Sequence, residues 1–200
     1  MEAQSRDRDA LTGLGTRGEA FSLLRRDLAE GRAGAVILCD LDHFAAFNDS
    51  NGHHQGDRLL RLVATTLTPP RDDALSHDAY RIGGDEFLIR ISGAELQAAK
   101  ALAEEARRKI KLLPAGLQAV QPEDEPLTAR FVVAAWREGQ APTPTTLLGA
   151  AGLILERPDT RDAVVSIDDD WDEGRGAGAR EPRRPLPNAP SAADAVDPSA

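Results

Sequence analysis

Two acidic positions in this sequence lie where the backbone is predicted to turn out of a sheet. Asp40 ends the apolar run 35–39, and Asp85-Glu86 follow two glycines between two β-prone runs. If that strand and that hairpin are neighbours, the carboxylates converge and repel one another unless they are protonated or bridged by a cation. An oxygen-lined site with few ligands suits Mg²⁺, which indicates metal-assisted phosphoryl chemistry. The alternative is that these acidic side chains are merely solvated.

Hydrophobic spacing and chain breakers predict the elements that must position those residues. The run 35–39 is apolar throughout, which is typical of a central strand buried on both faces. Gly83-Gly84-Asp85-Glu86 separates two β-prone runs at the spacing of a β-hairpin. The full prediction is helices at 18–30, 55–66, 95–113 and 145–156, two of them ended by Pro69-Pro70 and Pro114, and strands at 35–39, 79–82, 87–91, 127–136 and 163–167.

The order of these elements predicts the fold class. It is α-β-α-β-β-α-β-α-β, which indicates an α/β (α+β) fold with a five-stranded sheet of mixed or antiparallel pairing and helices covering it. With 200 residues, of which 41% are hydrophobic, the chain can bury one core. One domain with tails is therefore expected.

Composition excludes several classes of function. The net charge is −9 and Lys and Arg form no stripe, which argues against a nucleic-acid partner. The single cysteine, Cys39, excludes an intrachain disulfide framework and is predicted to be a small buried hydrophobe. No apolar run reaches the length of a membrane span, and the N-terminus is too polar for a secretory signal. A cytoplasmic protein without membrane contact is expected.

Five sequence blocks occur together in one order and spacing that resemble the GGDEF family. They are Asp9-Ala-Leu-Thr-Gly-Leu14, Asp40-Leu-Asp-His-Phe44, Asn48-Asp49, Gly52-His-His-Gln-Gly-Asp57 and Arg81-Ile-Gly-Gly-Asp-Glu-Phe87. Several matched blocks are far more specific than one isolated pair of glycines. The resemblance covers 9–168, which leaves 1–8 as an N-terminal extension and 169–200, rich in Gly, Pro, Ala, Asp and Arg, as a predicted disordered tail.

The resemblance implies a palm-like, mostly antiparallel five-stranded sheet akin to that of class III nucleotidyl cyclases. It also implies a diguanylate cyclase, which condenses two GTP to cyclic di-GMP and pyrophosphate. In this family Asp40 and Asp85, with the Leu41 carbonyl, would bind two Mg²⁺, with Mn²⁺ as an alternative ion. Asp85 and Glu86 would be catalytic. Two copies of the domain would face each other, so a homodimer is expected.

The guanine-reading pair of the family corresponds to Asn48 and Asp57. A carboxylate accepts from both the N1 hydrogen and the 2-amino group of guanine, and adenine offers neither donor. The alternatives are a capping role for Asn48 and a helix-dipole role for Asp57. Leu60 would wall the base, although core packing explains it equally well.

The remaining substrate contacts implied by the resemblance concern phosphates. His43 and Phe44 begin a short helix whose free N–H groups could hold the β- and γ-phosphates. Gly83 and Gly84 would allow close approach, and Arg81 would take the place of an arginine usual in the family, with a plain strand-edge charge as the alternative. Arg157 and Arg161 fall where two basic residues of a late motif belong. Zinc at His53-His54 is disfavoured because adjacent histidines point apart.

Three departures from the family pattern put the activity level in doubt. Ala45 replaces a lysine expected near the triphosphate, the late block is degenerate at Pro158, and 131–136 lacks a small Ser-Ile-Gly pattern. Ala74 and His77 stand where an inhibitory product site would have Arg and Asp, so that site is expected to be absent. The alternatives to an active cyclase are a weakened domain that binds nucleotide or protein, and a synthase of altered product. The few residues before Asp9 include no sensor or coiled coil, so we expect either self-association or membership of a longer chain.

Overall fold

The computed structural model describes residues 8–69, 77–121, 126–140 and 142–167. The predicted tail at 169–200, residues 1–7 of the predicted extension and Ala74 lie outside the described residues. Both ends of the predicted domain organisation therefore stay predictions.

Six strands form one sheet in the order β1-β3-β4-β2-β5-β6. They are β1 (Gly15–Thr16), β2 (Gly34–Asp42), β3 (His77–Arg81), β4 (Glu86–Ser92), β5 (Thr128–Trp136) and β6 (Val164–Ile167). The three inner pairings are antiparallel, and only the outer pairs β1–β3 and β5–β6 are parallel. The predicted fold class and mostly antiparallel sheet are confirmed.

The predicted count of five strands is too low by one, because β1 has only two residues. Gly15 and Thr16 pair with Tyr80 and Arg81 of β3. A segment this short has no periodicity to detect. Its glycine is required by packing, since a Cβ at Gly15 would overlap the ring of Tyr80.

Strand β2 is the centre of the sheet, as predicted, with β4 on one side and β5 on the other. Its side chains alternate between two apolar clusters. Ile37 and Cys39 join the cluster beneath one layer of helices, and Val36 and Leu38 join the cluster beneath the other. This two-sided burial explains why the run is apolar throughout, and it confirms the buried position of Cys39.

Five helices cover the two faces: α1 (Arg17–Ala29), α2 (Phe44–Asn51), α3 (His53–Leu67), α4 (Leu96–Gly116) and α5 (Pro144–Leu155), with a 3₁₀ turn at Pro158–Thr160. Buried residues of α2, α3 and α4 pack on one face and those of α1 and α5 on the other. None of the helices that the structure describes is both long and apolar enough to cross a bilayer.

The predicted end of α4 at Pro114 is wrong, because the helix continues to Gly116. Proline lacks one backbone donor, and in the last turn this removes only a single helical hydrogen bond. Leu117 N closes the turn on the carbonyls of Leu113 and Pro114. Gln118, with φ 52°, then ends the helix.

Candidate active site

A row of three charged side chains crosses the end of the sheet from β4 through β2 to β5. Asp40 of β2 pairs in register with Glu86 of β4 and with Arg130 of β5. Directly opposed residues of neighbouring strands present their side chains to the same face. All three therefore lie on the face covered by α1 and α5.

The hairpin between β3 and β4 brings Asp85 to the same place. The backbone N–H of Leu41 donates to the Asp85 carbonyl at 3.4 Å, which ties the hairpin tip to the residue after Asp40. The structure thus brings together the three carboxylates that the sequence analysis singled out at the strand end and the hairpin tip.

The electrostatics of these carboxylates show mutual repulsion. Burial and the neighbouring Asp85 raise the pKa of Asp40 to about 7, even though Arg130 acts in the opposite direction. Burial raises the pKa of Asp85, and burial together with Asp85 raises that of Glu86. Perturbed carboxylates that face one another across a sheet end are typical of a functional site.

These oxygens suit a hard cation because binding one would relieve the repulsion. Among the described residues no three His, Cys, Asp or Glu side chains form a ready-made metal cage. Mg²⁺ in proteins is commonly held by one or two carboxylates together with substrate phosphates and water. Asp40 and Asp85, with the Leu41 carbonyl beside them, are the group that would hold it.

Asp42 and Arg130 were not proposed as site residues from the sequence. Asp42 is fully buried and accepts hydrogen bonds from Thr128 Oγ1 at 2.7 Å, Arg130 Nε at 2.6 Å and the Asp162 N–H at 3.0 Å. Alternation along β2 puts Asp42 on the same face as Asp40, and that period was a signal that could have found it. Arg130, the one charged residue of β5, was a second signal.

Arg81 braces the hairpin tip from within. Its NH2 and Nε donate to the Gly84 carbonyl at 2.6 and 3.2 Å, and its NH1 pairs with Asp9 Oδ1 at 3.2 Å. Asp9 also accepts from the backbone and hydroxyl of Thr12. Burial acts to raise the pKa of Asp9, but the hydrogen bonds from Thr12 and Arg81 and the charge of Arg81 lower it below its usual value. Arg81 is therefore more than a strand-edge charge.

The two glycines of the hairpin have different surroundings. A Cβ at Gly83 would overlap the Glu86 carboxylate, so this glycine makes room for that side chain. Nothing lies within 4 Å of a Cβ position at Gly84. Space for a ligand is thus present at Gly84 rather than at Gly83.

Beyond Asp42 the chain enters α2 through His43, whose backbone is left-handed with φ 60°. A non-glycine residue in this region is strained and is common at functional sites. Phe44 is the first residue of α2, as the sequence predicted for the short helix. Ala45 is exposed in the first turn of this helix.

The candidate guanine residues lie where α2 and α3 pack together. Asn48 Oδ1 is buried and has no hydrogen-bond partner in the described part of the chain. It lies against Gly56, where a Cβ would overlap that oxygen. Asp57, the next residue, is half-buried, whereas Leu60 is 3% exposed and belongs to the core cluster. Gly56 was missed as a site residue although it lies within a quoted block.

The two arginines of the late block do not join the acidic cluster, which consists of Asp40, Asp85 and Glu86. Arg157 and Arg161 are exposed, and among the described residues neither guanidinium makes an ion pair or a hydrogen bond. The neighbouring Asp162 is left-handed at φ 47° and pairs with Arg107 at 2.6 Å and Lys111 at 2.5 Å. His77, predicted to mark a missing inhibitory site, is buried with Nε2 3.2 Å from the Leu67 carbonyl.

A mostly antiparallel sheet with carboxylates at the end of its central strand and at an adjoining hairpin tip defines an α+β domain with an acidic site at one end of its sheet. The chain belongs to the GGDEF family: the family model described as "Diguanylate cyclase, GGDEF domain" matches residues 6–160.

Relatives and solved structures agree with this assignment. The chain is 34% identical to the diguanylate cyclase VdcA of Vibrio cholerae over 153 residues, which cover 74% of this chain and 43% of VdcA. The GGDEF domain of DgcB from Caulobacter crescentus, solved in complex with c-di-GMP, has a TM-score of 0.65 at 24% identity and shares the fold, covering 83% of this chain and 96% of that one. The GGDEF domain of YfiN from Pseudomonas aeruginosa has a TM-score of 0.59 at 28% identity, and the match covers 81% of this chain and 95% of that one.

The match is to one domain of longer proteins. The chain spans less than half the length of the curated relatives named here, 43% for VdcA and 16% for PdeR, a cyclic di-GMP phosphodiesterase of Escherichia coli that is 34% identical over 108 residues. That stretch covers 52% of this chain. The matched region therefore occurs both in a protein named a diguanylate cyclase and in one named a cyclic di-GMP phosphodiesterase.

Proposed function

We propose that this chain is a diguanylate cyclase that converts two GTP into cyclic di-GMP and two pyrophosphates. The observation that carries the proposal is the convergence of Asp40, Asp85 and Glu86, whose pKa values are all raised at one end of the sheet. A self-repelling group of oxygen ligands fits a site whose charge is neutralised by a bound cation during the reaction.

The metal chemistry is expected from the ligands that the chain offers. Two Mg²⁺ ions, or Mn²⁺, would supply charge compensation at the α-phosphate and activation of the 3′-hydroxyl. Asp40 and Asp85 would hold them with the Leu41 carbonyl, and Glu86, which pairs in register with Asp40, would assist. Arg81 keeps the hairpin tip in place through the Gly84 carbonyl, so that Asp85 and Glu86 stay oriented.

Guanine recognition is supported by an unsatisfied acceptor. The buried Asn48 Oδ1 could accept from the base, and Asp57 could accept from N1–H and the 2-amino group. Gly56 lets the Asn48 amide lie against the start of α3, because a Cβ at Gly56 would overlap Oδ1. Adenine offers no such donors, so GTP should be preferred over ATP. Leu60 contributes to the packing beneath this site.

Phosphate binding rests on the start of α2, on Gly84 and on the late block. Backbone N–H groups after His43 and the open space at Gly84 could receive the phosphates, and Arg157 and Arg161 would have to turn inward to join them. Ala45 is exposed in the first turn of α2 and carries no charge, so it offers no cation to the triphosphate. Reduced turnover is therefore part of the proposal.

Closure of the cyclic product requires two GTP-loaded domains that face each other. We therefore propose a homodimer as the active form, working in the cytoplasm where GTP is available. Feedback through the family's inhibitory product site is not part of the proposal, since His77 is buried.

The decisive experiment is product identification from GTP with Mg²⁺ by mass spectrometry. Wild type should form cyclic di-GMP, and Asp85→Ala should form at least about a hundredfold less because a ligand of the reaction site is gone. A mixed GTP and ATP reaction would expose a synthase of altered product. Absence of any cyclic dinucleotide, with wild type equal to Asp85→Ala, would refute the proposal.

A second candidate function is a GGDEF domain that binds nucleotide without turnover. It is favoured by Arg130, which occupies one side of Asp40, and by the outward position of Arg157 and Arg161. Calorimetry distinguishes the two: saturable GTP binding without conversion supports this candidate, whereas conversion supports the cyclase.

A further inference from the structure

Arg130 is the one charged residue of β5, and it points at the proposed metal site. Its Nε lies 3.3 Å from Asp40 Oδ1 and 2.6 Å from Asp42 Oδ1. Its NH1 donates to the Leu155 carbonyl at 2.7 Å, and its side chain is only 14% exposed. The guanidinium is therefore fixed between β2 and the end of α5, with one edge against Asp40.

The three contacts of Arg130 differ in strength. The contacts with Asp42 and Leu155 are short, and the Asp42 side chain is 0% exposed. The contact with Asp40 is longer, and the Asp40 side chain is 26% exposed. Arg130 could therefore give up Asp40 while it keeps its other two partners.

We propose that Arg130 is a tethered cation that competes with divalent metal for Asp40 and thereby sets the metal affinity of the site. A guanidinium stays protonated at every relevant pH, so it cannot yield its charge when a second cation approaches the same carboxylate. A metal ion at Asp40 must therefore displace Arg130 from Oδ1, or bind more weakly because the guanidinium repels it. This inference rests on the proposed function and specifies how its metal site is regulated.

Competition with metal and phosphate binding predict different effects on the metal affinity when Arg130 is removed. If Arg130 were instead a ligand for phosphate, its removal would weaken nucleotide binding and leave the affinity for free metal unchanged or lower. If it competes, its removal must tighten metal binding even when no nucleotide is present. Free Mn²⁺ is therefore the right probe.

The experiment is a calorimetric titration of Mn²⁺ into the nucleotide-free chain, with wild type, Arg130→Ser and Arg107→Ser compared. Arg107 is the matched control, because it loses the same charge and an ion pair with Asp162 at 2.6 Å, but it has no contact with Asp40. Arg130→Ser should bind Mn²⁺ about tenfold more tightly than wild type, since one charge-assisted contact no longer competes. Arg107→Ser should stay within about twofold of wild type.

Loss of Arg130 leaves the buried Asp42 with only Thr128 and the Asp162 N–H as partners, which could unfold the variant. The double variant Asp42→Asn/Arg130→Ser removes both charges and keeps those two partners. It is compared with Asp42→Asn, which retains Arg130 and should bind Mn²⁺ more weakly than the double variant. This pair decides the question if Arg130→Ser shows no cooperative thermal transition.

The outcomes separate this inference from the proposed function. Equal Mn²⁺ affinity in Arg130→Ser and Arg107→Ser, with binding lost in Asp85→Ala, would overturn the inference and leave the metal site standing. Weaker binding in Arg130→Ser would overturn it as well. No Mn²⁺ binding in any variant would overturn the inference, and the same result together with no product from GTP would overturn the proposed function as well.

Discussion

The face of the sheet covered by α1 and α5 has two regions with carboxylates, and the charged partners of these carboxylates differ. Asp27 of α1 is buried and pairs with Nε of Arg90 in β4 at 2.5 Å, and Arg90 also pairs with Asp78 at 3.0 Å. At the end of β4, Glu86 faces Asp40, and Asp85 lies beside them. There Arg130 is the cation that contacts Asp40, and it is shared with Asp42.

The difference separates a structural ion pair from a site built to receive charge. Burial opposes the charge of Arg90, but the hydrogen bond and attraction of Asp27 raise its pKa, so the pair supports both charges. At the acidic end burial and repulsion raise the pKa values instead. A fold tolerates such uncompensated charge at a few places, and those places are where ligands are expected.

The largest expected effect contrasts the two regions directly. Asp27→Ala should lower the free energy of unfolding by about 3 kcal/mol, because among the described residues it leaves the buried Arg90 with only the exposed Asp78 as an ion-pair partner. Asp85→Ala should change the free energy of unfolding by less than about 1 kcal/mol, because the variant loses the repulsion from the neighbouring carboxylates together with the solvation of the Asp85 side chain. Urea denaturation at pH 7 without metal measures both. Equal losses would remove the distinction between the two regions.

Next in size is the effect on base recognition. Asp57→Asn should weaken GTP binding by about 1.5–3 kcal/mol, since an amide NH₂ would face the donors of guanine, and should leave ATP binding unchanged. Equilibrium titration with both nucleotides measures this, and Asp49→Asn, an exposed change on α2, is the control. A parallel loss for GTP and ATP would show that Asp57 does not read the base.

A gain of function is expected at the first turn of α2. Ala45→Lys should tighten GTP binding about tenfold, because it adds a cation where the exposed alanine now lies. Ser50→Lys adds the same charge to the exposed last turn of α2 and should have less than about a threefold effect. Calorimetric GTP titration measures both. If Ala45→Lys matches Ser50→Lys, the missing lysine is not what limits this site.

The smallest effect is a pH dependence at Asp40. Its pKa is raised from 3.8 to about 7 in the folded chain, so its contribution to stability is full below pH 3.8 and is lost as the pH rises through 7. In the metal-free protein Asp40→Asn should therefore raise the free energy of unfolding at pH 7.5 by about 1 kcal/mol, after allowance for the partial exposure of the side chain. At pH 4 the two proteins should be nearly equal. Thermal melts across this range in a chelator test the sign.

Much of the fold was accessible from sequence because its signals are local. The run 35–39 is apolar throughout, which is typical of a strand buried on both faces, and the hairpin tip was marked by two glycines. Strand β1 and the end of α4 were not predicted correctly, since one depends on pairing with β3 and the other on how the last turn closes around Pro114. Both are set by contacts that residue type does not specify.

The acidic cluster was predictable for the same reason, but its surroundings were not. Asp40, Asp85 and Glu86 are marked by their positions at strand and hairpin ends. The pairing of Arg130 with Asp42 joins residues 88 apart in sequence, so only the register between β2 and β5 reveals it. The unsatisfied oxygen of Asn48 likewise depends on the packing of α2 against Gly56.

The most direct test of the central idea is a count of divalent ions per chain. Mn²⁺ binding would be measured by electron paramagnetic resonance with a non-hydrolysable GTP analogue, for wild type and for Asp40→Asn/Asp85→Asn. About two ions should bind per wild-type chain, and the double variant should lose most of this binding. Equal occupancy in the two proteins would contradict the account, because the carboxylates at the end of β2 and at the hairpin tip would then not be what holds the metal.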